Sequence, residues 1–176
     1  MSRPIRSVEM RRHTMRTKPG WHLSQPGVDL ARRTGDQMGP FDRVITSTVP
    51  RAYETAIAMG FAVDQQDDRL SSFGDIHDAE LSWDAGFAAW SRAVGEGGVA
   101  ARFAHGQAAL LREMIASLPE GSRALVITHG GFVEATAVAG LPHADHAAWG
   151  TVCDYCEGAV FRFEGDQVVA IDLVRV

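Results

Sequence analysis

The consecutive apolar residues Ala124-Leu125-Val126-Ile127, inside the segment Arg123 to Thr128, restrict the fold of this chain more than any other feature. A run of that length without polar alternation suits a strand buried on both faces. It stops abruptly at His129-Gly130-Gly131, where a helical pattern begins and lasts to about Gly140. Earlier segments repeat the strand-then-helix theme. Ile5 to Arg12 reads as a first strand, although Glu9 and Arg11 make it more polar than a buried parallel strand normally is. Ser24 is an N-cap with Pro26 in the first turn, and Val28, Leu30, Ala31 and Met38 supply the apolar stripe of a helix that ends near Gly39-Pro40. Asp42 to Ser47 reads as a strand. Pro50 opens a helix that carries Ala52, Ala56 and Met59 on one face and is closed by Gly60, with a short strand at Phe61 to Val63.

Residues 64 to 83 are rich in Asp, Ser and Gly, lack periodicity, and read as a long irregular excursion of the kind that is more often functional than idle. Phe87, Trp90 and Val94 fall at helical spacing, Gly95-Glu96-Gly97-Gly98 interrupts, and a longer helix follows with Phe103, Leu110, Leu111, Met114 and Leu118 on its buried side. Val160 to Phe163, the turn Glu164-Gly165-Asp166 and Val168 to Val174 form a hairpin signal. The economical fold is an α/β one: a three-layer α/β/α sandwich with a mostly parallel sheet and a C-terminal hairpin, with active residues beyond the carboxyl ends of the parallel strands. With 176 residues, no repeat and no linker-like stretch, one domain over 1–176 is expected.

Composition narrows the function. A formal charge of -5 argues against a broad electrostatic footprint for nucleic acid or an anionic membrane surface. No apolar run approaches a membrane span and Met1-Ser2-Arg3-Pro4-Ile5-Arg6 leads into no signal-peptide pattern, so a cytoplasmic location is the default expectation. Cys153 and Cys156 are too few for a secreted disulfide framework.

Several segments place cationic or imidazole groups where strands should end: Arg11-Arg12-His13-Thr14-Met15-Arg16, Thr46-Ser47-Thr48-Val49-Pro50-Arg51-Ala52-Tyr53-Glu54-Thr55-Ala56, and Thr128-His129-Gly130-Gly131. Phosphoryl transfer asks for preorganised positive donors around the equatorial oxygens and a nucleophile in line behind phosphorus, and arginines with a helix N-terminus suit that task.

Those segments resemble the histidine phosphatase superfamily, also called phosphoglycerate mutase-like, and the resemblance spans most of the chain. The family's Arg-His-Gly at the end of the first strand is matched by Arg12-His13 with Thr14 in the glycine place. Its Ser-Ser-Pro-x-x-Arg-Ala-x-x-Thr-Ala stretch is matched from Thr46 to Ala56, and its late Ser-His-Gly-Gly by Thr128 to Gly131. Leu23-Ser24-Gln25-Pro26-Gly27 looks like the Leu-Thr-x-x-Gly start of the family's first helix. The resemblance implies that His13 is the nucleophile of a phosphomonoester or phosphohistidine hydrolase, forming a phosphohistidine intermediate. Arg12, Arg51 and His129 would bind the phosphoryl oxygens, with Gly130 and Thr14 beside them. Arg16, spaced like the second Arg of family variants reading Arg-His-x-x-Arg, either adds a contact to phosphate or distal substrate or is a solvated loop charge. Neither metal nor other cofactor is expected; the partner is a small phosphorylated substrate or a phosphoprotein.

The chain departs from the family twice. Thr14 requires the loop to tolerate a β-branched residue or to use its hydroxyl as a further donor. The second departure is the general acid, usually a Glu two positions after a Leu: Asp68-Arg69-Leu70-Ser71-Ser72 puts Ser72 there, and a serine does not protonate a leaving group as a carboxylic acid would. Asp75, Asp78 and Glu80 are the nearest replacements, with His77 a further candidate. Glu80 is favoured because Leu81 and Trp83 would desolvate it and raise its pKa toward neutrality.

Alternative readings exist. A phosphoglycerate-type mutase must shield its phosphoenzyme from water, and the chain looks short for the extra segments that would do so. A non-catalytic phospho-ligand binding module of the same fold would keep the arginines without an effective acid. His143-x-x-His146 and Cys153-x-x-Cys156 have spacings that zinc sites use; the preferred reading is a polar loop leading into a strand with two buried thiols. A redox Cys-x-x-Cys is disfavoured because a strand-like segment follows it.

Overall fold

The structure is a computed structural model and describes residues 4–76, 81 and 86–176. Its strands are β1 (Arg6–Arg12), β2 (Arg43–Thr46), β3 (Gln65–Gln66), β4 (Arg123–Thr128), β5 (Gly158–Glu164) and β6 (Gln167–Val174). Its α-helices are α1 (Gln25–Gly35), α2 (Pro50–Ala58), α3 (Gly86–Gly95), α4 (Gly98–Ala116) and α5 (Phe132–Gly140). The strands make one sheet in the order β3-β2-β4-β1-β5-β6. The first four of that order run parallel, while β5 pairs antiparallel with β1 and with β6. This is the expected mostly parallel sheet with a C-terminal hairpin.

Alternation along each strand sorts the core into two halves. On one face Val8, Met10, Ile45, Ala124 and Val126 pack with Trp90, Leu111, Ile115, Val133 and Val138 of α3, α4 and α5. On the other, Val44, Leu125 and Ile127 meet Ala31 of α1 with Ala52 and Ala56 of α2. Helices therefore cover both faces, which is why β4 is apolar throughout: its residues Ala124 to Ile127 are fully buried.

The polar first strand has a direct explanation. Glu9 and Arg11 lie on one face and pair with each other, Arg11 Nε donating to Glu9 Oε1 at 2.8 Å while Nη1 donates to the Cys156 carbonyl. A buried charge tolerated this way needs both its partner and its remaining donors satisfied. Helix α1 begins as expected, with the Ser24 hydroxyl accepting from Gly27 N, but stops at Gly35, short of Gly39-Pro40. A Cβ at Gly35 would stand 2.0 Å from the Met59 carbonyl oxygen, so α1 ends where it meets the end of α2. The strand expected at Phe61 to Val63 is not one. Gln65 and Gln66 pair with Ile45 and Thr46 instead, so the excursion read as wholly irregular supplies the sheet's edge. A single turn of 3-10 helix, Asp68–Leu70, follows it. Among the described residues no helix is long and apolar enough to cross a membrane.

Candidate active site

The register of the sheet brings the motif residues together. Arg12 is paired with Thr128, so β1 and β4 end side by side, and His13 N donates to the Thr128 carbonyl at 2.8 Å. Ser47 N donates to the Ile127 carbonyl, bringing the start of α2 to the same edge. His13, His129 and Arg51 thus leave three neighbouring strand ends for one place, as the sequence motifs require.

His13 is 7% exposed. Its Nδ1–H donates to the Thr14 carbonyl at 2.6 Å, which leaves Nε2 with a free lone pair, and Arg51 Nε donates to that Nε2 at 3.0 Å. Burial pushes the imidazole down to about 4; the Thr14 bond opposes this, and the positive charges of Arg51, Arg12 and Arg16 push it the same way. The ring is therefore neutral at neutral pH, with Nδ1 committed to a carbonyl and Nε2 keeping its lone pair, held here by Arg51 Nε, which must yield it before Nε2 can act as a nucleophile. His129 stands with its ring centroid 5.1 Å from that of His13. Burial, followed by His13, Arg51 and Arg12, lowers it to about 3. Arg51 Nη2 reaches its Nδ1 at 3.4 Å, so one guanidinium spans both imidazoles. Burial, then Arg16, lowers the pKa of Arg51 itself.

Arg12 is aimed by a different part of the chain. Its Nη1 donates to the Cys153 carbonyl at 3.0 Å, and its guanidinium lies over the Tyr155 ring, 4.4 Å from the centroid. A Cβ on Gly130 would come within 3.2 Å of Arg12 Nε, so this glycine makes room for the arginine. Arg12 Nε is buried and has no hydrogen-bond partner among the described residues, a donor in need of an anion. The loop carrying Cys153 and Tyr155 is itself braced. Arg175 donates to the carbonyls of Trp149, Thr151 and Val152 and to Glu157 Oε2, and buried Glu134 accepts from Cys153 N at 2.6 Å and Gly131 N at 2.7 Å.

Thr14 is accommodated, not recruited. Its hydroxyl donates to the Gly27 carbonyl and its backbone N–H to Thr55 Oγ1, both at 3.0 Å, so both donors are satisfied within the protein. The threonine pins the loop after β1 to the start of α1, where Gly27 is required because a Cβ would lie 2.2 Å from the Met15 carbonyl oxygen. Arg16 spends Nη1 on the carbonyls of Pro19 and Gly20, at 3.2 and 2.7 Å. It shapes the loop and adds positive potential to His13 and Arg51. Asp75 is exposed. Glu80, Asp78 and His77 lie outside the described residues.

The zinc spacing does not become a zinc site. His146 uses both ring nitrogens, on Ser91 Oγ at 2.8 Å and the Leu141 carbonyl at 2.9 Å, while His143 is exposed. Among the described residues no group of three or more His, Cys, Asp or Glu is placed to hold a metal ion. Cys153 and Cys156 are buried thiols, in the turn before β5 and not in the strand, and burial pushes both above the ordinary thiol pKa.

Tyr155, Ser47, Arg175 and Trp21 were not singled out from sequence. Trp21, 62% exposed, has its ring 5.9 Å from the Arg51 guanidinium. Only Ser47 sits in a motif that offered a signal; the others are joined to the site by contacts between distant stretches of chain.

An acid-side stability test follows from the two depressed histidines. Both are neutral in the fold, whereas in the unfolded chain they titrate near 6.5, so on acidification the unfolded state binds protons first. Their contribution is full above 6.5 and is lost as pH falls toward about 4 for His13 and about 3 for His129. At about 1.36 kcal/mol per unit the loss is on the order of a few kcal/mol for each histidine. Thermal unfolding should show Tm declining from about pH 6.5 downward. The doubly substituted His13→Gln, His129→Gln protein should decline less over the window above pH 4, before the Asp67–Arg69 pair, which holds Asp67 below its usual range, begins to contribute. An unchanged slope would remove the two histidines as its cause.

Fold and site together define a protein that gathers two neutral histidines and two arginines at the carboxyl edge of a parallel sheet, an arrangement suited to phosphoryl groups. The family model of the histidine phosphatase superfamily (branch 1) matches residues 7–174, and the chain belongs to that superfamily. Among solved structures it is similar to Entamoeba histolytica phosphoserine phosphatase in complex with 3-phosphoglyceric acid, at 16% identity and a TM-score of 0.71 over 97% of this chain and 98% of that one. It is also similar to phosphoglycerate mutase from Bacillus anthracis str. Sterne, at 15% identity and a TM-score of 0.65 over 99% and 94%. A mycobacterial glucosyl-3-phosphoglycerate phosphatase shares 21% identity and a TM-score of 0.60 over 96% and 97%. No curated protein matches. Identities this low speak for the fold alone.

Proposed function

We propose that the chain hydrolyses phosphomonoesters, or phosphohistidine on a partner protein, through a phosphohistidine formed at His13 Nε2. The observation that carries this reading is the state of His13: Nδ1 bound to the Thr14 carbonyl, Nε2 holding a lone pair beside the Arg51 guanidinium. In the first step the Nε2 lone pair forms the N–P bond as the P–O bond to the leaving group breaks, and the departing oxygen takes a proton from a general acid, assigned to Glu80. In the second, water attacks phosphorus and gives a proton to the carboxylate that the acid became, the N–P electron pair returns to Nε2, and inorganic phosphate leaves with the acid restored. Arg12, with its unpartnered buried Nε, Arg51 and His129 hold the charge on the phosphoryl oxygens throughout.

No residue in this scheme requires a metal, so activity should survive exhaustive chelation. Loss that only zinc restores would overturn that part. The scheme itself is tested by quenching turnover without acid and looking for an acid-labile phosphoryl group on the protein; hydrolysis without any such adduct would count against the covalent route.

The mutase reading keeps one supporting observation. The match to the Bacillus anthracis phosphoglycerate mutase covers 94% of that chain, so shortness does not argue against transfer. Product analysis separates the two: hydrolysis releases inorganic phosphate, whereas transfer returns a phosphorylated isomer.

A further inference from the structure

Behind His129 runs a chain of hydroxyls that ends on a carboxylate. Arg51 Nη2 faces His129 Nδ1, and a guanidinium only donates, so Nδ1 presents its lone pair and the ring proton is on Nε2. That Nε2 stands 2.8 Å from Ser47 Oγ and donates to it. Ser47 Oγ also accepts from Val49 N at 3.2 Å, which fills its acceptor positions and sends its one proton to Ser71 Oγ at 2.8 Å. Ser71 Oγ accepts in turn from Thr48 N at 3.0 Å and passes its proton to Thr48 Oγ1 at 2.8 Å. Thr48 Oγ1 then donates to Asp68 Oδ1 at 2.9 Å. Each hydroxyl has one proton, and only the direction from His129 to Asp68 fills every link.

The arrangement answers a difficulty in the proposed function, on which it rests. A lone pair on His129 Nδ1 suits the donor Arg51 Nη2 that faces it but would repel a phosphoryl oxygen. For His129 to donate from Nδ1 while Nε2 stays protonated, the ring must become an imidazolium, which its burial disfavours first and its neighbours His13, Arg51 and Arg12 disfavour further. A phosphoryl dianion supplies most of the compensation, and the oriented hydroxyls supply more on the side away from substrate.

We propose that Ser71 and Asp68, acting through Ser47 and Thr48, are positioning residues for His129. They hold the resting ring as its Nε2–H tautomer and keep that proton in place when a phosphoryl dianion enters and Nδ1 takes a proton from solvent. The chain transfers no net proton; it orients dipoles toward the imidazolium and terminates them on a carboxylate. Ser71 lies one residue before Ser72, the position at which the superfamily motif calls for its acid.

Histidine nitrogen NMR on 15N-labelled protein tests this directly, with the His129 signals assigned from a His129→Gln sample and inorganic phosphate as the probe. The free protein should show the Nε2–H tautomer at His129. Saturating phosphate should protonate both nitrogens and raise the pH at which the second proton is lost. Ser71→Ala and Asp68→Asn should each lower that bound-state pH by about half a unit to one unit, the worth of a hydrogen bond. Ser71→Ala should also mix the tautomers in the free protein. Asp68 is exposed, so its variant remains informative should Ser71→Ala fold poorly. A resting Nδ1–H tautomer, or a bound-state titration identical in wild type and Asp68→Asn, overturns the proposal. Failure to bind phosphate at all would instead strike the proposed function, and the resting tautomer would still decide whether the chain is oriented as assigned.

Discussion

His13→Ala should lose turnover by about a million-fold, the order seen where a covalent nucleophile is removed, and should form no acid-labile phosphoryl adduct. The same protein should remain folded and should still bind inorganic phosphate. The fold survives because the deletion removes a ring whose interior bonds are one donation to the Thr14 carbonyl and one acceptance from Arg51; losing them costs about 1–3 kcal/mol. Binding survives because Arg12, Arg51 and His129 remain, and Arg51 Nε, relieved of His13, becomes available to the anion. Retained phosphate affinity with lost turnover therefore separates the nucleophile from the binding groups. Wild-type rates in His13→Ala would end the covalent mechanism, and loss of both turnover and phosphate affinity would give His13 a binding role instead.

Glu80→Gln should slow hydrolysis of alkyl phosphates by roughly a hundredfold to ten-thousandfold, the usual worth of a general acid. Aryl phosphates should suffer far less, because a phenolate leaves without a proton while His13 and the arginines act as before. The signature is selectivity, not total loss. Asp75→Asn and Asp78→Asn should leave the ratio of alkyl to aryl rates nearly unchanged. Should either of these show the selective defect while Glu80→Gln does not, the acid is that aspartate. A chain with no alkyl selectivity in any of the three would draw its acid from elsewhere, or act on leaving groups that need none, as a phosphohistidine does less than an alkyl ester.

The amino-acid sequence alone determined the architecture and which motif residues come together at one edge of the sheet. An unbroken apolar run at β4 can be satisfied only between two helical layers, and in a parallel sheet of that kind the residues just past the strands share one edge. Arg12, His13, Arg51 and His129 each sit at such an end, so a local pattern was enough to place them near one another. The polar face of β1 and the ends of α1 and β3 were less legible, because they depend on partners elsewhere: Arg11 on Glu9 and the Cys156 carbonyl, Gly35 on Met59, Gln65 and Gln66 on β2.

What only the tertiary structure decided is how each group in the pocket is held. The Thr14 hydroxyl, which the sequence leaves free to serve either a ligand or the loop, donates to the Gly27 carbonyl. Tyr155 under Arg12, Arg175 across the loop from Trp149 to Glu157, and the hydroxyls that connect His129 with Asp68 link residues far apart in the chain. No periodicity encodes such links. A hydroxyl or a carbonyl is an ordinary feature of any loop, and it acquires direction only when folding fixes its neighbours within hydrogen-bond distance and assigns each of them a donor or an acceptor role.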